Sequence, residues 1–151
     1  MDPTDELLFR DETFRIRGAV FQVYRAMRPG FLEAVYQECL SLELARRGIP
    51  FEAMKRLPIS YIGIALRQTY VADLVCYGEI VLELKAVRAL APEHRAQTIN
   101  YLRASGMKVG LLVNFGAAPS VEIERFALQR VSANSAFSAV PTLAEAPHPT
   151  R

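Results

Sequence analysis

Besides Glu79 at a tight turn, three charged residues interrupt an apolar stretch of the chain that runs from residue 70 to residue 87. They are Asp73, Glu83 and Lys85. Apolar neighbours around such charges are typical of a strand covered on both faces, where an unpaired charge is costly. Two carboxylates that meet in such a place hold either a proton or a cation. The chemistry that these residue types favour is therefore a divalent ion bridging both acids, with a lysine beside it.

Hairpin geometry brings the two acids together. A three-residue turn after Cys76 would place Cys76 opposite Ile80, and continuing the pairing places Asp73 opposite Glu83. Directly opposed side chains have Cβ atoms about 5 Å apart, and Lys85 follows on the same face as Glu83. The spacing alone leaves one alternative open, an ordinary ion pair between Asp73 and Lys85 with Glu83 in solvent.

Further strand-like segments lie on both sides of this hairpin in the sequence. The hairpin needs two strands joined by the tight turn at Tyr77–Glu79. Before it, Gly63 bends or interrupts a strand pattern, and after it a short apolar run indicates a buried strand. The predicted strands are Phe51–Arg56, Ile59–Ala65, Tyr70–Cys76, Ile80–Ala86, Lys108–Phe115 and an edge strand at Val121–Leu128.

Three segments carry the signals of helices. Asp11 is a suitable N-cap for the first, Gly48 a suitable C-terminal cap for the second, and Pro92 a natural first-turn residue for the third. A hairpin followed by a crossover helix and another strand predicts an α/β fold, with a mixed central sheet flanked by helices. The predicted helices are Asp11–Met27, Phe31–Arg47 and Pro92–Ser105.

Composition narrows the class of protein. Hydrophobic residues make up 51% of the 151 residues, which suits a globular domain of ordinary size. We expect one domain over 1–131 and a flexible tail, rich in Ala, Ser and Pro, over 132–151. The net charge of +2 neither requires nor excludes a nucleic-acid ligand. We predict a cytoplasmic protein, because the apolar runs are short, the acidic N-terminus has no signal sequence and the two cysteines show no pairing pattern.

Several short motifs, in this order, resemble one family. Gly30, Glu33 and Tyr36 form a Gly-x-x-Glu-x-x-Tyr arrangement, and Asp73 stands ten residues before a Glu-Leu-Lys run. With "HRAQTINYLRASG" and "GLLVNF", these motifs resemble the GxxExxY family of the PD-(D/E)XK nuclease superfamily over about residues 17–128. The resemblance implies a restriction-endonuclease-like core with its elements in the order αβββαβ. The proline that the superfamily places before the first acid is absent here.

The resemblance implies a role for each member of the charged group. Asp73 and Glu83 would bind a metal ion, Mg²⁺ with Mn²⁺ as a substitute, and the main-chain carbonyl of Leu84 could add a ligand. Lys85 would orient or help deprotonate the attacking water and stabilise the charge on the phosphate. Glu33 would match the acid that some superfamily members bring to the metal. A role for Glu33 as an ordinary acid at a helix start stays open.

The third predicted helix resembles a second element of the superfamily. Gln97 and Tyr101 match the Gln-x-x-x-Tyr element of RecB-like nucleases and would contact the substrate. His94 lies on the same flank of the helix and is a further candidate for substrate binding. Structural roles without substrate contact stay open for two of these residues. Tyr101 could pack in the core, and His94 could lie on the helix surface.

The resemblance implies a metal-dependent nuclease that hydrolyses phosphodiester bonds in DNA, with RNA as the alternative substrate. Homodimerisation would extend the footprint of so small a domain. The second hypothesis is a nucleic-acid-binding or scaffold protein that has the same fold and no turnover. A Rossmann-type enzyme is disfavoured, because no Gly-x-Gly-x-x-Gly turn follows a predicted strand.

Overall fold

The computed structural model describes residues 8–128. The predicted tail over 132–151 therefore lies outside the described residues, and so do the first seven residues. Within residues 8–128, no helix is both long and apolar enough to cross a membrane. The helices and strands are α1 (Arg10–Met27), α2 (Glu33–Arg46), β1 (Phe51–Tyr61), β2 (Ile64–Cys76), β3 (Ile80–Lys85), α3 (Pro92–Ser105), β4 (Val109–Asn114) and β5 (Glu122–Ala127).

The strands form one mixed sheet in the order β1-β2-β3-β4-β5. Strands β1, β2 and β3 pair antiparallel to one another, β3 and β4 are parallel, and β5 returns antiparallel to β4. Because parallel strands need a crossover connection, α3 lies between β3 and β4 in the chain. The prediction of an α/β fold with a mixed sheet flanked by helices is confirmed. The αβββαβ order is present from α2 to β4, with α1 and β5 added at its ends.

The hairpin that carries the charged residues has the predicted register. The paired residues of β2 and β3 are Cys76 with Ile80, Val75 with Val81, and Leu74 with Leu82. The ladder ends at the last of these pairs. The next residues, Asp73 and Glu83, therefore lie where the two strands begin to separate.

The first strand differs from the prediction. The sequence predicts two strands, over 51–56 and 59–65, but the structure has a single strand, β1, that continues through Pro58. A proline is tolerated there because β1 is an edge strand, and its register with β2 shifts just after Pro58. The chain reverses at Ile62 and Gly63, whose φ angles of 45° and 75° are those of a two-residue hairpin turn.

The start of the first helix also differs from the prediction. The helix begins at Arg10, and Phe9 holds the N-cap position without a side-chain cap. The hydroxyl of Thr13 donates a hydrogen bond to the carbonyl of Phe9 at 2.9 Å. Asp11 is therefore not the N-cap. It lies in the first turn, where its negative charge stabilises the positive end of the helix.

Two hydrophobic clusters cover the two faces of the sheet. On one face, Leu82 and Leu84 of β3 pack with buried residues of α1 and α2 such as Leu40. On the other face, Val81 packs with Leu102 of α3. Both faces of β3 are covered, so the charged residues at its end lie at the margin of a dry core.

Candidate active site

Regular alternation of side chains breaks in β2 at Asp73. Tyr70 and Ala72 pack on the face covered by α3, whereas Leu74 packs on the face covered by α1 and α2. In a regular strand these three even-numbered residues would share one face. On the neighbouring strand, Met54 has a positive φ of 51° at the corresponding place. The change of face therefore falls at Asp73. A strictly regular strand would have no change of face there.

The Asp73 carboxylate lies in the opening between β2 and β3. Its Oδ2 accepts the backbone N–H of Leu84 at 2.7 Å. Burial raises the pKa of the Asp73 carboxyl; the Leu84 N–H lowers it, the charge of Glu33 raises it, and the charge of Lys85 lowers it. The main-chain carbonyl of Asp73 accepts a hydrogen bond from Gln37 Nε2 at 3.2 Å. This last contact, which the sequence analysis did not identify, ties β2 to α2.

Glu83 lies on β3 and is not a solvated side chain. Burial, and then the charge of Asp73, raises the pKa of the Glu83 carboxyl to about 7. The hydroxyl of Tyr70 donates a hydrogen bond to Glu83 Oε1, and this bond and the charge of Lys85 lower the pKa only in part. In such surroundings a carboxyl group is stabilised near neutral pH by holding a proton. Binding a cation would stabilise its ionised form instead.

Lys85 is the last residue of β3, and its charge acts on both acids. None of the ion pairs in residues 8–128 joins Lys85 to Asp73 or Glu83. The alternative of an Asp73–Lys85 ion pair with a solvated Glu83 is therefore wrong. The main-chain carbonyl of Lys85 accepts the N–H of Phe115 at 2.8 Å. This bond fixes the end of β3 against the end of β4.

Glu33 is the first residue of α2 and is exposed. Its charge raises the pKa of Asp73, so the two carboxylates are electrostatic neighbours. One turn later, the hydroxyl of Tyr36 donates to the carbonyl of Arg28 at 2.6 Å and accepts the N–H of Phe31 at 3.1 Å. These bonds fix the loop before α2 and thereby hold Glu33 at the edge of the sheet that carries the other acids.

Tyr70 is a member of this cluster that sequence reasoning missed. Only 4% of the residue is exposed, and its ring stacks on Tyr101, with centroids 4.2 Å apart and 8° between the planes. Burial, and then the charge of Glu83, raises the pKa of the Tyr70 hydroxyl, which therefore remains a protonated donor. Its position three residues before Asp73 was the only signal in the sequence.

The possible ligands at this edge are oxygen atoms. The N–H and C=O of one strand residue point to the same side, so the Leu84 carbonyl points toward β2, as does the N–H that Asp73 accepts. Carboxylate and carbonyl oxygens are the ligands that Mg²⁺ and Mn²⁺ prefer. Residues 8–128 contain no group of three or more His, Cys, Asp or Glu arranged as a metal site. The two acids and this carbonyl fit a hard cation, and Glu33 would have to move toward them to join.

Comparison with known proteins decides the family. Residues 10–126 match a family model described as the PD-(D/E)XK nuclease superfamily. The chain belongs to this superfamily. Its mixed sheet flanked by helices is the restriction-endonuclease-like fold that the sequence predicts. Members of this superfamily are generally nucleases that use divalent metal ions. A search of curated proteins gave no significant match.

Among solved structures, this PD-(D/E)XK chain is similar to one reported as "Crystal structure of SSO0001". The TM-score is 0.48 at 18% sequence identity, and the similarity covers 74% of the chain. The chain spans 57% of the length of that structure. A similarity this low carries no argument about function.

In this PD-(D/E)XK domain, α3 places its three candidate residues differently. Tyr101 reaches the acids through its stacking on Tyr70. Gln97 is exposed, one turn before Tyr101. His94 Nδ1 accepts the backbone N–H of Ala91 at 3.0 Å, which helps to cap α3 and leaves Nε2 as the atom that could meet a ligand. Substrate contacts by these residues stay predictions.

Proposed function

We propose that this chain is a metal-dependent nuclease that hydrolyses phosphodiester bonds in DNA, with RNA as the alternative substrate. One observation carries the proposal. Where β2 and β3 separate, two part-buried carboxylates are each held by a hydrogen bond, Asp73 by the Leu84 N–H and Glu83 by the Tyr70 hydroxyl. The charge of Lys85 acts on both. Fixed acids beside a lysine, on the fold of this superfamily, support hydrolysis of a phosphodiester better than a purely structural role.

Asp73, Glu83 and the Leu84 carbonyl would hold Mg²⁺, or Mn²⁺ in its place, and Glu33 would add a further oxygen. The fit rests on charge as well as on ligand type, because burial disfavours both ionised acids and a cation relieves that cost. When bound, the ion would lower the pKa of a water molecule and polarise a phosphoryl oxygen.

The side chains of this site have separate tasks in the proposal. Lys85 would orient the attacking water and stabilise the negative charge that develops on the phosphate oxygens. Tyr70 would act through Glu83, since its hydroxyl engages one carboxylate oxygen and leaves the other available to an ion. Contacts with the substrate would come from the α3 residues Gln97, Tyr101 and His94.

We also propose membership of the GxxExxY family, because each residue of its motif has a physical reason here. Gly30 has a φ of 125°, a conformation that other residues rarely adopt. Tyr36 is fully buried, stacks on Phe115 with ring centroids 4.6 Å apart, and holds the loop before α2 through its hydroxyl. Glu33 lies between them in the sequence, and its charge acts on Asp73.

A homodimer would give so small a domain a wider footprint on its substrate and would place two cutting sites on one molecule. Sedimentation of the protein alone and with a duplex oligonucleotide would measure the assembly. We expect two copies of the chain on one duplex, and a single copy at every protein concentration would refute the homodimer without affecting the site.

A cleavage panel tests the function. Single-stranded, duplex and branched DNA and single-stranded RNA would be incubated with Mg²⁺, Mn²⁺ or EDTA. We expect products with either ion and none in EDTA. If the protein binds nucleic acid equally well in EDTA and releases no product at high concentration over long incubation, the hypothesis of a binding or scaffold protein without turnover replaces the nuclease.

Replacement of Tyr70 by Phe tests its positioning role. We expect Tyr70→Phe to raise the Mn²⁺ concentration needed for half-maximal cleavage by about tenfold, because Glu83 loses a charge-assisted hydrogen bond worth about 1.5–3 kcal/mol. At saturating Mn²⁺, kcat should recover to within a few fold of the wild-type value, since Tyr70 does not touch the reacting atoms.

The matched control is Tyr77→Phe. Tyr77 carries a buried hydroxyl that has no hydrogen-bond partner in the described part of the chain, so its removal should leave the metal dependence unchanged. Equal metal requirements for Tyr70→Phe and Tyr77→Phe would show that the Tyr70 hydroxyl does not position Glu83.

A further inference from the structure

The outward face of α1 carries a groove that the proposed reaction does not use. Three adjoining depressions share Phe14, and the largest, of about 660 Å³, extends past Phe21 to Arg28. Phe14 is 75% exposed and Phe21 is 46% exposed. The two rings lie seven residues apart on one face of the helix, which separates them by about 10 Å along its axis. Single exposed aromatic residues are common, but two aligned in one groove suit a ligand with flat apolar groups.

The same groove is positively charged. Arg10, Arg17, Arg25 and Arg28 line it from α1 and its C-terminal cap, and Arg47 lines it from the end of α2. One acid, Asp11, lies at its start. Within residues 8–128, none of Arg10, Arg17, Arg25 and Arg28 forms an ion pair with an acid. The guanidinium of Arg25 hydrogen-bonds Gln22, and that of Arg28 lies over the Tyr24 ring. Guanidinium groups without a carboxylate partner, close to exposed rings, are complementary to a ligand that alternates anionic and flat apolar groups.

Gly18 shapes the middle of the groove. A Cβ at Gly18 would lie 2.9 Å from Arg47 Nη1, so the absence of a side chain lets the guanidinium lie across α1. Glu43 holds that guanidinium through a 2.6 Å salt bridge to Arg47 Nε, which fixes its orientation and offsets part of its charge. The groove therefore has an oriented cation at its centre, between Phe14 and Phe21.

Hydrogen bonds connect the groove to the edge that carries the acids. At its far end, the Tyr24 hydroxyl donates to the carbonyl of Ala117 at 2.6 Å, in the segment that follows β4. The carbonyl of Arg28 accepts the Tyr36 hydroxyl, and Tyr36 holds the loop that presents Glu33. A polymer that leaves the acidic edge over the start of α2 would therefore run onto α1.

We propose that this face of α1 binds single-stranded nucleic acid, with bases stacked on Phe14 and Phe21 and phosphates bound by the arginines that line the same groove. This inference rests on the proposed nuclease function, since it extends the binding path of the same substrate. A single strand is favoured over a duplex because paired bases are stacked on one another and cannot stack on protein rings.

Binding measured without metal tests the proposal apart from cleavage. Fluorescence anisotropy would follow a labelled 20-nucleotide poly(dT) strand and a duplex of equal length in EDTA, with wild-type protein and the double variant Phe14→Ala/Phe21→Ala. We expect the double variant to bind the single strand at least roughly tenfold more weakly, as stacking on an aromatic residue is worth about 1–3 kcal/mol per base. The duplex affinity should change far less.

Two further variants separate stacking from general apolar contact and from charge. Ile64→Ala removes a 67% exposed apolar side chain on the β1–β2 hairpin and should leave binding unchanged. Arg17→Gln/Arg25→Gln should lower the slope of log affinity against log salt by about 0.7 for each phosphate that the variant no longer binds. Circular dichroism should show intact helices in all variants, because the replaced side chains are exposed or half-exposed.

The outcomes distinguish failure of this inference from failure of the proposed function. Unchanged single-strand affinity in the double variant would overturn the nucleic-acid path on α1, even if the protein cuts DNA. Equal competition by poly-glutamate at matched charge would overturn it in favour of an acidic protein partner. Loss of single-strand binding in the double variant, with no cleavage by the wild type under any metal, would support the path and refute the nuclease.

Discussion

Lys85→Ala is expected to lower the rate of cleavage by two to three orders of magnitude at saturating Mg²⁺. Removal of one preorganised donor from a developing negative charge typically costs about that much. The ion itself should still bind, because both carboxylates keep their own hydrogen bonds to Tyr70 and to the Leu84 N–H. Single-turnover cleavage of whichever substrate the panel identifies would measure the effect on the chemical step.

Lys108→Ala is the matched control for that variant. Lys108 is an exposed lysine just before β4, so its loss removes the same charge away from the acids. We expect its cleavage rate to stay within about twofold of the wild-type rate. Cleavage at the wild-type rate by Lys85→Ala would remove the assigned role of Lys85.

The metal-free protein is expected to lose stability as pH rises from about 4.5 to about 7, and Glu83→Gln should remove most of this loss. The pKa of Glu83 is about 7 in the folded chain, against 4.5 for an ordinary glutamate. Between these values the folded state binds more protons than the unfolded state, so the free energy of unfolding falls as pH rises. Each pKa unit corresponds to about 1.4 kcal/mol, which makes the effect a few kcal/mol at most.

Urea unfolding in EDTA at pH 5 and pH 8 would measure this difference. At pH 8, Mn²⁺ should restore the stability of the wild type by about 2.7 kcal/mol at a hundred times its dissociation constant. At pH 5 the gain should be smaller, because the ion must displace a proton from Glu83. The same pH dependence in the wild type and in Glu83→Gln would mean that the Glu83 carboxyl titrates like an ordinary surface acid.

The meeting of the two acids could be predicted from sequence because the hairpin turn is local. Tyr77 and Gly78 take positive φ angles of 56° and 69° between two apolar strands, so the turn sets the register of everything that follows. Once Cys76 lies opposite Ile80, the neighbourhood of Asp73 and Glu83 follows by counting. The ladder breaks at the acids themselves, and this break could not be read from a regular repeat.

The contacts that hold the acids in place could not be predicted in this way. Tyr70 reaches Glu83 because Tyr101 of α3 stacks on it, and Gln37 reaches Asp73 from α2. Both contacts depend on how helices distant in the chain pack on the sheet. A single sequence does not show which side chains from distant segments come into contact.

The two errors in secondary structure have the same origin. Pro58 suggests a break between strands, but the strand continues because nothing pairs with its outer edge within the described sheet. Asp11 suggests a cap, but Phe9, two residues earlier, already turns the chain in a left-handed conformation and holds the N-cap position. In both places the preference of the residue is real, but the surrounding structure decides whether a strand ends or a helix begins there.

Calorimetric titration of the metal-free protein with Mn²⁺ at pH 8 tests the central claim most directly. We predict ion binding that is weakened at least about tenfold in Asp73→Asn and in Glu83→Gln and is unchanged in Asp11→Asn, an acid at the far end of α1. Binding of undiminished affinity in both site variants would contradict the account, since the ion would then lie elsewhere.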